Sequence, residues 1–169
     1  MPENPDYERT GPLKILKQAV AVELALAGGE PRRVEVFVAE HRENEFRRQD
    51  VLDLLERVQA FLPARNVATG EWELFNKDAL LWIGVPPSPL GSAPEGAADE
   101  LFEFRRPVRV DFMGGQSLEG EILYSAPAES TRLVDYVNEP GRFLRLWTND
   151  LLTLINKAFV LRVVERDRR

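Results

Sequence analysis

The segments that decide the fold are LFNKDALLWIGV at 74–85 and LINKAFVLRVV at 154–164. They share their apolar spacing and the dipeptide Asn-Lys, at 76–77 and 156–157. Apolar residues before and after this dipeptide predict two strands joined by a bend. Because the segments match in residue identity as well as in periodicity, they indicate two units of the same plan.

A predicted β-hairpin lies upstream of each segment. In the first half, AVAVELAL at 19–26 and RRVEVFVAE at 32–40 alternate apolar and polar residues on either side of a Gly-Gly turn. In the second half, VRVDFM at 108–113 and SLEGEILY at 117–124 do the same. Alternation with a period of two around such a turn is typical of a hairpin with one buried face.

A short helical pattern follows each hairpin. DVLDLLERV at 50–58 and TRLVDYVN in the second half place apolar residues at helical spacing. Thr131 or Ser130 is expected to cap the second helix. Residues 12–27 also fit a helical period, but the repeated plan favours a strand from about Gln18.

Together these patterns predict a mainly β (α+β) fold made of two tandem copies of a small β-β-α-β-β unit, barrel-like or sandwich-like, that arose by internal duplication. Chance similarity between two small β domains is the alternative. The predicted organisation is an N-terminal extension at 1–17, a first β-rich unit at 18–85, a Pro/Gly/Ala-rich linker at 86–100, a second β-rich unit at 101–165 and a charged tail at 166–169.

Units of about 65 residues are near the lower limit for folding alone, so the two are expected to pack together. Trp72, Trp82 and Trp147 lie in the predicted closing strands, where their rings would fill such an interface. An aromatic platform for a ligand is the alternative role of these three residues.

The second half contains the motifs G-x-I-L, RL-x-DY-x-N and F-x-x-L in this order. Over about 60 residues it resembles a family of uncharacterised bacterial small β domains, most specifically at Arg132, Leu133, Asp135 and Asn138. Val137 stands where the family pattern has leucine. The resemblance implies the fold and no activity. Arg132, Asp135 and Asn138 are candidate interaction residues, and a structural ion pair between Arg132 and Asp135 is the alternative.

The sharpest candidate ligand site is an arginine cluster. Arg105 and Arg109 form an R-x-x-x-R spacing, with Arg106 beside them and a serine-x-x-glycine segment beginning at Ser117. This arrangement is similar to the cyclic-di-GMP signature of PilZ domains. The PilZ pattern has Asp or Asn two places before the serine, where this chain has Gly115, and the separation is shorter here. A solvated strand edge that discourages edge pairing is the alternative for these arginines.

The sequence contains no recognisable set of catalytic residues. Cysteine is absent, which excludes disulfides, thiolate nucleophiles and cysteine-based zinc sites. The single histidine, His41, lies in a polar stretch typical of an exposed loop. Carboxylate pairs such as Glu43 with Glu45 and Asp50 with Asp53 are expected by chance among 28 acidic residues. We therefore predict a protein that is not an enzyme, with no catalytic residue, metal site or cofactor.

The charge is unevenly distributed along the chain. Residues 1–103 carry 11 basic and 19 acidic side chains, and residues 104–169 carry 11 and 9. An acidic first half repels a phosphate backbone, so nucleic-acid binding is not expected. No stretch approaches the roughly 18 apolar residues of a spanning helix, and no signal peptide is recognisable. Arginine outnumbers lysine by 18 to 4, which suggests a bacterial genome rich in GC, so we expect a bacterial cytoplasmic protein without membrane attachment.

Because the sequence shows no recognisable catalytic set, we consider three hypotheses for its function. The first is a non-enzymatic adaptor or regulatory module that binds another protein through a sheet edge or a groove between the units, with a homodimer as a candidate assembly. The second is a small-ligand or cyclic-nucleotide sensor that uses the arginine cluster. The third is an Sm-like or OB-like nucleic-acid binder, suggested only by the small β units and their aromatic residues.

Overall fold

A computed structural model describes residues 17–39, 47–86, 102–149 and 151–166. Most of the predicted N-terminal extension, linker and charged tail lie outside these residues, as do His41, Glu43, Glu45 and the side chain of Asp50. Within the described residues no helix has the length and apolar character needed to cross a membrane.

The described residues form ten strands, two α-helices and two 3₁₀ helices. In chain order these are β1 (Lys17–Leu26), β2 (Arg32–Ala39), α1 (Arg47–Glu56), β3 (Phe61–Asn66), β4 (Trp72–Asn76), a first 3₁₀ helix (Lys77–Ala79), β5 (Leu80–Val85), β6 (Phe104–Phe112), β7 (Ser117–Tyr124), α2 (Leu133–Val137), β8 (Phe143–Thr148), β9 (Leu151–Asn156), a second 3₁₀ helix (Lys157–Phe159) and β10 (Val160–Glu165). The mainly β class with a minor helical part is confirmed.

The strands make one antiparallel sheet in the order β10-β6-β7-β8-β9-β5-β1-β2-β3-β4. Both predicted hairpins are confirmed, because β1 pairs with β2 and β6 pairs with β7. The alternation predicted for them is also observed, since Val20, Val22 and Val36 are buried in the first hairpin and Val108 and Val110 in the second. The strand expected from about Gln18 begins at residue 17.

Each half contains one strand more than the predicted β-β-α-β-β plan. The additional strands are β3, with the sequence FLPARN, and β8, with the sequence FLRLWT. Pro63 lies inside β3 and weakens its strand signal, because proline cannot donate to the ladder. Both halves follow the same order of elements, while their origin by duplication stays a prediction.

The two halves meet at a seam formed by β5 and β9. Ile83 lies opposite Leu154, and Val85 lies opposite Leu152. These four side chains belong to the core of the first half, although β9 is part of the second. In return, Leu81 of β5 belongs to the core of the second half. Each half therefore contributes side chains that complete the core of the other.

The Asn-Lys dipeptides lie at equivalent bends, as predicted. Asn76 Oδ1 accepts a hydrogen bond from the Asp78 amide at 3.0 Å, which starts the first 3₁₀ helix. Asn156 Oδ1 accepts one from the Ala158 amide at 3.1 Å, which starts the second. A side-chain acceptor at this position satisfies an amide that the short helix leaves without a backbone partner.

The lysine of each dipeptide binds carbonyl oxygens at the end of the preceding helix. Lys77 Nζ donates to the carbonyls of Leu54 and Arg57, each at 3.0 Å. Lys157 Nζ donates to the carbonyl of Glu139 at 2.7 Å. An ammonium group is favourable there because the last carbonyls of a helix lack intrahelical donors and carry partial negative charge.

Candidate functional site

A groove of about 830 Å³ opens on the first half, and we call it the aromatic groove. It is lined by α1, the segment after α1, the start of β1 and the strands β2, β3 and β4, and it takes side chains from both faces of the sheet. Its lining consists of Lys17, Phe37, Val38, Ala39, Asp53, Leu54, Arg57, Gln59, Phe61, Leu62, Pro63, Trp72 and Lys77.

One wall of the groove is aromatic and faces solvent. The rings of Phe37 and Trp72 have centroids 5.0 Å apart and are tilted by 31°. Trp72 is 64% exposed and Phe61 is 52% exposed, although both are large apolar side chains. Arg65 Cζ lies 5.7 Å from the centroid of the Phe37 ring, within range of a cation–π contact. Strand alternation brings these rings together on the face of β2, β3 and β4 that points away from the core.

The other wall of the groove carries most of its charge. Lys17, Arg57 and Lys77 supply three positive groups, and Asp53 supplies the negative one. Burial lowers the pKa of the Lys77 ammonium, and the nearby charges of Arg142 and Arg57 lower this pKa further. An excess of positive charge beside exposed rings can bind a chain segment that combines apolar and acidic side chains.

The predicted arginine cluster lies on β6, where alternation divides it between two faces. Arg105 and Arg109 share one face with Asp111, and Arg106 occupies the alternate position. Ser117 lies at the other end of this hairpin from Arg105, opposite Asp111. The structure therefore does not gather the three guanidinium groups and the serine hydroxyl at one point.

Each arginine of the cluster contacts a carboxylate. Arg105 binds Glu121 at 2.6 Å, Arg106 lies 3.3 Å from Glu165, and Arg109 binds Asp111 at 2.8 Å. An added anion would have to displace these carboxylates. The alternative interpretation, a solvated strand edge, is wrong for Arg109, because β6 pairs there with both β10 and β7. Arg105 and Arg106 precede the part of β6 that pairs with β10. A ligand site at these residues stays a prediction.

The candidate interaction residues lie around α2. Arg132 Nε donates to Asp135 Oδ2 at 3.2 Å, which is the ion pair that the spacing of three allows. Asn138 ends the helix, and its amide donates to the Val134 carbonyl at 3.2 Å. Arg132 itself occupies the N-cap without a side-chain cap bond, so the expected cap by Thr131 or Ser130 is wrong. Their use as an interaction site stays a prediction.

The three tryptophans have different surroundings. Trp82 packs partly buried against the core of the second half, and Trp147 packs partly buried against that of the first. Both therefore lie at the junction of the two halves, as expected. Trp72 is exposed in the aromatic groove, and its alternative role, an aromatic platform for a ligand, stays a prediction. Phe37 and Phe61 also line the groove. The sequence does not identify them, because they come near Trp72 only when the strands pair.

No group of three or more His, Cys, Asp or Glu side chains is placed to hold a metal ion in the part of the chain that the structure describes. Comparison of the chain with protein-family models, curated proteins and solved structures found no match to any of them. No function is therefore transferred from a relative, and the function is inferred from the geometry of the aromatic groove.

Proposed function

We propose that this protein is a non-enzymatic adaptor or regulatory module that binds an extended segment of another protein in the aromatic groove. The observation that carries the proposal is the exposure of Trp72 and Phe61 in a concave surface bordered by basic groups. Large exposed apolar side chains in a cleft mark binding sites more often than ordinary surface. The site differs from the groove between units expected from the sequence, because it lies within the first half.

The chemistry of the lining defines the class of segment that fits. The rings of Phe37, Phe61 and Trp72 would cover apolar side chains of the bound segment and provide most of the affinity, since buried aromatic residues dominate such interfaces. Arg57 would pair with an acidic side chain and fix the orientation of the segment. A volume of about 830 Å³ accommodates a few residues of a peptide rather than a folded domain.

We further propose that the protein acts in a bacterial cytoplasm. The absence of cysteine and the preference for arginine over lysine support this location. A native bacterial host is therefore the setting for the first experiment.

Site-directed photo-crosslinking tests the proposal. The full chain carries p-benzoylphenylalanine in place of Phe61, and a second chain carries it in place of Val134 on α2. Val134 is a matched control because it is 48% exposed and lies outside the groove. We expect a discrete protein adduct from position 61 that is absent from position 134, and Trp72→Ala in the same chain should remove it.

The captured segment can then be measured as a synthetic peptide. Trp72→Ala should weaken its binding by roughly a hundredfold and Arg57→Ala by roughly tenfold, because the first removes a central aromatic anchor and the second a charge at the rim. Equal adducts from positions 61 and 134, or unchanged peptide binding by the Trp72→Ala chain, would refute binding in the groove.

A further inference from the structure

The ten-stranded sheet ends in β4 on one side and in β10 on the other, within the part of the chain that the structure describes. A strand at the end of a sheet presents backbone amides and carbonyls that can pair with another strand. The seam inside the molecule shows how two such edges of this fold fit together. It joins β9, which occupies in the second half the place of β4, to β5, which occupies in the first half the place of β10.

The edge strand β4 carries the apolar side chain that its counterpart buries in the seam. Counted from the shared asparagine, Leu74 corresponds to Leu154. Leu154 is 0% exposed because it packs beside Ile83 in the core of the other half, whereas Leu74 is 69% exposed. The two leucines differ in that a neighbouring strand covers only Leu154.

The edge strand β10 shows the same difference. Leu161 corresponds to Leu81, and the register shifts at both positions, which form equivalent irregularities. Leu81 is 4% exposed because it packs into the core across the seam, whereas Leu161 is 64% exposed. Each free edge therefore exposes one leucine whose counterpart is buried at the internal seam.

We propose that β10 of one molecule pairs antiparallel with β4 of a second copy of this chain, in the register of the internal seam. In that register Val163 lies opposite Leu74, as Ile83 lies opposite Leu154. Leu74 then packs into the core of the second half of its neighbour, and Leu161 packs into the core of the first half. This assembly goes beyond the proposed function, because it uses the sheet edges. In its register Glu165 lies opposite Trp72, as Val85 lies opposite Leu152, so the assembly involves Trp72 and leaves Phe37, Phe61 and Arg57 of the groove free.

A polar contact of the seam supports the same register. Asn156 Nδ2 donates to the Leu80 carbonyl across the seam at 2.9 Å. The equivalent residues are Asn76, which is exposed at the end of β4, and Val160, which begins β10. Pairing between copies brings the Asn76 amide to the Val160 carbonyl and reproduces this bond.

The proposed contact is head-to-tail, because it joins different surfaces of the two copies. Such contacts add further copies until a ring closes or a filament forms. Every contact requires one free β4 and one free β10. Blocking either edge in all molecules therefore leaves monomers, and mixing the two blocked chains leaves one contact available.

Light scattering, which measures molar mass, tests the proposal at increasing protein concentration. The edge variants are Leu74→Lys and Leu161→Lys. The matched control is Val134→Lys on α2. Wild-type protein and the control should exceed the monomer mass of 19.2 kDa. Each edge variant alone should stay monomeric, with association weakened roughly tenfold or more. An equimolar mixture of the two edge variants should form a dimer and nothing larger.

The other outcomes overturn the proposal. A monomeric wild-type protein refutes self-association and leaves the edges to other partners. If the Leu161→Lys chain still dimerises alone, and its mixture with the Leu74→Lys chain forms no dimer between the two variants, β4 pairs with β4 instead. Both results are read from the molar mass of this chain alone, and the crosslinking at position 61 is scored only for adducts with a different protein, so failure of the assembly and failure of the groove are distinguishable.

Cysteine pairing checks the register directly, because the chain contains no cysteine of its own. Leu74→Cys and Val163→Cys chains, mixed and oxidised, should give a covalent heterodimer, since directly opposed positions in a sheet lie within disulfide range. Leu74→Cys mixed with Val134→Cys is the control. Equal heterodimer yields from the two mixtures would refute the register.

Discussion

The second and third strands of the two halves meet with different side chains. In the first half Val34 lies opposite Asn66. In the second half Gly120 takes the position of Val34, since Val22 pairs with Val34 as Val108 pairs with Gly120. The side chains of Leu146 and Thr148 lie beside this glycine. A buried valine of β2 is thus replaced by a glycine in β7.

This difference teaches that equivalent backbones need not have equivalent sequences. In the second half a neighbouring backbone occupies the space that the side chain of Val34 fills in the first, because a core is closely packed. The glycine allows this closer approach of the backbones. A Cβ atom at Gly120 would lie 2.3 Å from the Trp147 carbonyl oxygen and 3.0 Å from Leu146 Cγ.

Gly120→Ala should have the largest effect on stability. The added methyl group must move a backbone carbonyl, so we expect the free energy of unfolding to fall by about 3 kcal/mol. Urea denaturation followed by circular dichroism measures this. Gly29→Ala is the control, because a Cβ atom there meets its nearest neighbour at 3.7 Å, an ordinary contact. Equal effects of the two substitutions would show that the close approach of β7 and β8 is not required.

The two lysines of the Asn-Lys dipeptides give the next comparison. Lys77→Met should lower the free energy of unfolding by about 2 to 3 kcal/mol, because it leaves two carbonyls at the end of α1 without their donor. Lys157→Met should lower it by about 1 kcal/mol, because it removes one bond at a more exposed site. Thermal or urea denaturation of both chains measures the difference. A larger effect at Lys157 would reverse the comparison.

The sequence predicts the parts of this fold that depend on local pattern. Both hairpins follow from alternation about a Gly-Gly turn, and the bends follow from the repeated Asn-Lys. The pairing of β5 with β9 could not be predicted, because each segment has the pattern of a buried apolar strand and nothing in such a strand identifies its neighbour. Gly120 is noticed in the sequence only as part of the motif G-x-I-L, and its close contact with the Trp147 carbonyl becomes evident only when β8 is placed beside it.

The candidate site was less predictable than the fold. Trp72 was noticed only as one of three tryptophans expected at the interface between the units, and two of them do lie there. Phe37 comes from β2 and Phe61 from β3, so sequence spacing gives no sign that they form one surface with Trp72. The arginines of β6 attracted attention because they are close in sequence, yet alternation sends Arg106 to the other face.

Substituting Asn156 and Asn76 compares the internal seam, where Asn156 lies, with the free edge, where Asn76 lies. Asn156→Ala removes the bond to the Leu80 carbonyl across the seam and the bond to the Ala158 amide, so we expect a loss of about 1 to 2 kcal/mol in the free energy of unfolding. Asn76→Ala in the monomeric Leu161→Lys background should cost less than about 1 kcal/mol, because only the bend contact is lost. Urea denaturation of both chains measures the difference. Equal losses would mean that the bond across the seam adds nothing.

The smallest effect is expected at Asp111, whose position in the first half is occupied by the buried Ala25. Hydrogen bonds from Arg109 and Arg162 lower the pKa of the Asp111 carboxyl. The ionised form is therefore favoured by folding. Its stabilising contribution is complete above the unfolded-state pKa of 3.8 and is lost as the pH falls through the lower pKa of the folded state.

Asp111→Asn removes this dependence and keeps the shape of the side chain. The variant should be slightly less stable than the wild type at neutral pH, and the gap between them should close as the pH falls below 3.8. Urea denaturation of both chains at each pH measures the gap, and the comparison at equal pH cancels the carboxylates that they share. A gap that widens in acid would mean that Arg109 and Arg162 stabilise the protonated carboxyl, contrary to their charge.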